Sequence, residues 1–117
     1  MLIAAAIIIV LIGCIHSYLG ERKVLHPLYQ AYDIKGPIER ILRVSWHLIT
    51  LFWFAITAQL IAMHNWPDQA FKSFLIIMSV ALGISTLISL INSKGKHISW
   101  IGFGMATVLL GYQAGVC

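Results

Sequence analysis

Apolar residues fall in four long unbroken runs, from about Met1 to Leu19, Val44 to His64, Phe71 to Asn92 and Ile98 to Val116. A bilayer core about 30 Å thick takes about 20 residues of helix to cross. Each run has roughly that length, so each predicts a transmembrane helix. Backbone groups in lipid must be satisfied within the segment, and the continuous runs lack the alternation of a membrane β-barrel strand. The only long polar stretch is about 20–43. It holds Pro27 and Gly36-Pro37. Proline suits the first position of a helix, so Pro37 predicts an extension of the second helix ahead of Val44. Leu25, Leu28, Tyr29 and Tyr32 recur at spacings of three and four, which fits either a short helix in the headgroup plane or a plain loop. Short connections elsewhere predict an all-α integral membrane protein, four transmembrane helices in one up-and-down bundle.

Composition supports this reading. Of 117 residues, 60% are hydrophobic and 10% charged, against about 25% charged in soluble domains. That excludes a soluble globular domain and a disordered chain. The net charge is +4, and its placement matters more than its size. Arg22, Lys23, Lys35, Arg40 and Arg43 lie between the first two runs, Lys94 and Lys96 between the last two, and Lys72 alone at the connection of the middle pair, just inside the start of the third run. Basic residues concentrate in cytoplasmic loops. Residues 20–43 are therefore expected in the cytoplasm and both termini outside, in the periplasm for a multi-pass inner-membrane protein. The same placement makes nucleic acid an unneeded explanation for the charge. The first run has no basic residue ahead of it, as a signal peptide would require, so it is expected to remain as a helix although Leu11-Ile12-Gly13-Cys14 resembles a lipoprotein cleavage box. Cys14 and Cys117 both fall toward the outer side in this topology, and nothing in the sequence requires them to pair.

That topology places candidate chemistry at one level. His16 lies about one turn from the cytoplasmic end of the first helix, and His47 lies at a similar depth on the second. Glu21 follows Gly20. It can fold back toward His16 if the helix frays there, or lie about 140° round the axis if it continues. His97 begins the fourth helix at the same level. Ionisable groups at membrane depth tend to face the protein interior and to mark function. Imidazole and carboxylate suit zinc, iron or copper, so His16, Glu21, His47 and His97 form a candidate metal site, with Ser17, Ser45 and Arg43 orienting the ligands. An open position on such a metal could activate water or oxygen. A purely structural polar cluster and a proton or ion path are the competing readings. A haem held by His16 and His47 is a further one, though His64 has no partner for a second haem. No acidic residue lies at midplane, as a proton-coupled carrier would need. Gly111-Tyr112-Gln113-Ala114-Gly115 is a GxxxG pattern that permits close helix approach, within the bundle or between copies in a homo-oligomer.

His16-Ser17-Tyr18-Leu19-Gly20-Glu21 and Arg43-Val44-Ser45-Trp46-His47 resemble an H-S-x-L-G-E and an R-x-x-W-H stretch shared by small bacterial four-helix inner-membrane proteins that are uncharacterised. The resemblance covers the first half of the chain by motif and the rest by helix number. It implies no reaction, but it does imply that His16, Glu21 and His47 belong to one site. The sequence thus points first to a membrane protein with a His/Glu transition-metal site at the cytoplasmic side of the bundle, then to a non-catalytic homo-oligomeric channel or accessory subunit of a membrane complex, and third to a haem electron carrier.

Overall fold

The structure, a computed structural model, describes residues 1–96 and 98–116. His97 and Cys117, singled out above, lie outside the described residues. The chain is helical almost throughout. The first apolar run forms α1 (Leu2–Leu19), which continues without a break through a π-helical turn (Gly20–Leu25) into α2 (His26–Ala31). The π turn carries the wider i→i+5 bonding, with the His26 N–H donating to the Glu21 carbonyl. Pro27, which has no N–H to donate, stands at the start of α2. The result is a 30-residue helical rod, Leu2–Ala31, about 45 Å long. Most of the expected loop is therefore helix.

A tight reversal follows. Asp33 adopts φ 49 and Gly36 φ 70 with ψ −133, a combination open in practice only to glycine. Pro37 then opens α3 (Pro37–Asn65), 29 residues long, as the sequence anticipates. A 3-10 turn (Pro67–Gln69) leads into α4 (Ala70–Ser93), and α5 (Ser99–Gln113) completes the chain. Three helical segments, Leu2–Ala31, Pro37–Asn65 and Pro67–Ser93, are long and apolar enough to cross a membrane. The last helix is shorter than its apolar run. It has 15 residues, about 22 Å, because Gly115 takes φ 76 and the Val116 N–H turns back to the Gly111 carbonyl at 3.1 Å, a Schellman stop.

Consecutive long helices run antiparallel. Residues 13, 17 and 21 meet 54, 47 and 43 across α1 and α3, Gln59 meets Ala70 and Ser73 across α3 and α4, and Ser79 and Thr86 meet Thr107 and Gly104 across α4 and α5. The helices pack in chain order, α1 on α3, α3 on α4 and α4 on α5, and α1 and α5 have no extensive packing with each other. The principal extents are 51 × 33 × 12 Å. Three interaxial spacings of about 8–10 Å plus one backbone diameter of about 4.6 Å make roughly 29–35 Å, so the 33 Å width fits four helices side by side. The expected bundle is thus replaced by an open row, one helix deep. The cause lies in α3, which offers Trp46, His47 and Trp53 to α1 and the opposite side of its surface, with Val44, Leu48 and Gln59, to α4 and α5. A helix used on two opposite faces extends a row and cannot close a ring.

Candidate functional site

The polar residues at the end of the row that carries the basic stretch 20–43 divide between two faces of α3. On the α1 side, four residues of spacing allow Ser17 and Glu21 to project from one flank of the rod. His47 lies between them. Ser17 Oγ is 2.6 Å from His47 Nδ1, and Glu21 Oε2 is 3.2 Å from His47 Nε2. An ionised carboxylate only accepts, so with Glu21 as carboxylate Nε2 carries the proton and Nδ1 accepts from the Ser17 hydroxyl. Glu21 neither folds back from a frayed end nor lies on the far side of a regular helix; it stays helical and faces α3.

Arg43 extends the chain of contacts. Its Nε lies 2.8 Å from Glu21 Oε1 and its second terminal nitrogen 3.3 Å from Glu39 Oε1. The Nε is buried without an aligned acceptor, so the contact to Glu21 is an ion pair by distance rather than a well-directed hydrogen bond. The guanidinium also sits 5.5 Å from the centre of the Tyr29 ring, and the Tyr29 hydroxyl donates to the Glu39 carbonyl at 3.3 Å. The side chains of Glu21, Arg43 and His47 are 34%, 42% and 40% exposed. These are ion pairs at the protein's surface, and exposed pairs of this kind are worth at most about 1 kcal/mol in water.

His16 takes a different part. Its ring stacks parallel on Trp46 with centroids 4.5 Å apart and packs at 48° to Trp53 at 5.0 Å. Its Nε2 is buried with no hydrogen-bond partner. The backbone carbonyl of His16, not the ring, makes the interhelical bond, accepting from Trp46 Nε1 at 3.1 Å. The Trp46 indole occupies the space that a Cβ on Gly20 would need. Gly20 is thus required for close approach, and Gly13 performs a milder version of the same task against Phe54.

Of the residues the sequence singles out, Ser17, Glu21, Arg43 and His47 come together. Ser45 does not; it lines a cleft on the opposite face of α3. Among the described residues no group of three His, Cys, Asp or Glu side chains converges to hold a metal ion. Gly111 is buried in the chain's own packing, and Gly115 lies past the end of α5, so the two do not form one face of a helix. Sequence reasoning missed Glu39, Tyr29 and Trp46. The i,i+4 spacing of Glu39 and Arg43 was the available signal for the first. Nothing in the pattern could show that Trp46 fills the gap at Gly20. No family model, curated protein or solved structure matches the chain.

Proposed function

We propose that this chain is a non-catalytic subunit of a membrane assembly built from copies of itself, with its cytoplasmic end held rigid by the Ser17–His47–Glu21–Arg43–Glu39 contacts. The single observation that carries the reading is the open row. Helices one deep leave two broad apolar faces, with Ile8, Leu11 and Ile12 on α1 and Met105, Val108 and Leu109 on α5 among the exposed side chains. Ser17, Glu21, Glu39, Arg43 and His47 are meanwhile engaged with one another. The distribution of Lys and Arg supports an orientation with residues 20–43 in the cytoplasm and both termini outside, α5 being the fourth crossing; a bilayer thins locally around a short helix at modest cost. In a bacterium this is the inner membrane. Native mass spectrometry of the full chain released from lipid nanodiscs tests the assembly. Masses of two or more chains are expected, and a single chain at every protein-to-lipid ratio overturns the reading.

A second reading keeps a transition metal on Glu21 and His47, with a haem as a remoter variant on His16 and His47. The buried, unpartnered Nε2 of His16 favours it. The ring would have to leave its stack on Trp46 to join the other two. Elemental analysis of purified protein beside the His16→Ala/His47→Ala variant decides it: about one equivalent of zinc, iron or copper, lost in the variant, supports the metal, and equal background in both removes it.

A further inference from the structure

The opposite face of α3 carries a separate feature. Where the start of α3, the end of α4 and the start of α5 meet, they leave a cleft of about 430 Å³, within the range of small-molecule sites. Its deeper wall is apolar, formed by Val44, Leu48 and Phe103, with Ile41 at the mouth. Arg40, Lys94 and Lys96 line it as well, all three exposed, and no Asp or Glu does. Among the described residues none of these three cations enters an ion pair. The nearby acids are committed elsewhere: Glu21 and Glu39 to Arg43, and Asp33 to Lys35.

Depth adds direction. From Arg40 to Leu48 the axis rises about 12 Å, enough to pass from the headgroup layer into hydrocarbon. A site with cations at one end, hydroxyls such as Ser45 and Ser89 between, and apolar side chains beyond matches an amphiphile with an acidic head. A zwitterionic head would leave three positive charges uncompensated. We infer that this cleft binds one anionic phospholipid from the cytoplasmic leaflet, its phosphate at Arg40, Lys94 and Lys96 and the upper part of an acyl chain against Val44, Leu48 and Phe103. Basic pockets between transmembrane helices on the cytoplasmic side are suited to such headgroups.

Native mass spectrometry of the full chain in mild detergent, titrated with phosphatidylglycerol or phosphatidylcholine of equal chain length, tests the inference. Phosphatidylglycerol should bind at least about fivefold more tightly, and each cation replaced should cost about fivefold. The Arg40→Gln/Lys94→Gln/Lys96→Gln variant should lose the preference. Ile41→Trp, at a position already 47% exposed, should block the mouth and weaken binding with every charge retained, while Lys72→Gln should change nothing. Equal binding of the two lipids overturns the inference. So does an undiminished preference in the triple variant, or undiminished binding in Ile41→Trp, which would place the lipid on the general basic surface. Displacement by millimolar inorganic phosphate would identify a phosphate site and overturn the lipid.

Discussion

The seams at the two ends of the row are built on different principles. Between α1 and α3 the contacts are specific and large: Trp46 seated over Gly20, His16 stacked on the Trp46 indole and tilted against that of Trp53, and His47 bonded on both ring nitrogens. Between α4 and α5 they are small and repetitive. Gly83 faces Thr107, Gly104 faces Thr86, and Ser79 donates to the Thr107 carbonyl at 2.9 Å. The hydroxyls of Ser85, Thr86 and Thr107 return to carbonyls one turn back on their own helices. In lipid no hydrophobic force draws helices together, so close packing and interhelical hydrogen bonds carry association. The α4–α5 seam uses the first device almost alone. The α1–α3 seam adds the second, and it does so at the end that carries the charged groups. One seam fixes a unique register; the other permits close approach with little side-chain commitment.

Substitutions at glycine separate the two most sharply. Gly20→Ala should be the most damaging of the set, because the new Cβ meets the indole ring of Trp46 and forces it from its bond to His16. Overpacking of this kind costs about 1–3 kcal/mol, and a larger residue such as leucine should release α1 from α3. Unfolding in mixed micelles, followed by Trp fluorescence, reads both. His47→Ala should come next, at about 1 kcal/mol, since it removes two hydrogen bonds but leaves Glu21 its half-exposed ion pair to Arg43. Ser17→Ala removes one of those bonds and should cost about 0.5–1 kcal/mol in the same assay. Gly104→Ala should be the mildest. The added Cβ would lie 3.5 Å from Thr86 Cγ2, an ordinary contact, and alanine gains up to about 1 kcal/mol of helix propensity. A loss at Gly104 as large as that at Gly20 would erase the distinction between the seams.

The parts of this arrangement that could be read in advance are those set by local pattern. Apolar runs located α1, α3 and α4, and Gly36-Pro37 located the start of α3. The charge distribution together with depth counting brought Ser17, Glu21, Arg43 and His47 to one level. The rest depends on tertiary geometry that period and charge do not encode. Gly20 reads as a helix end, yet it is the gap for Trp46, and Glu21 beside it stays helical and faces α3. His16 reads as a ligand because it is an imidazole at depth, yet its carbonyl is the group that bonds across the seam. Four helices with short connections predict a bundle, but only the placement of contacts on opposite faces of α3 shows that they form a row. The end of α5 was overrun because apolar residues continue past the point where Gly115 turns the backbone.

The central claim is that the polar residues at the α1–α3 seam act on one another, as a lock between two helices. A double-mutant cycle on Glu21 and His47 measures this directly, using reversible unfolding of the full chain with Glu21→Gln, His47→Ala and both changes together. A coupling of at least about 0.5 kcal/mol is expected, the double variant losing less than the sum of the singles. Strict additivity would mean that the two side chains do not support each other, and would contradict the lock.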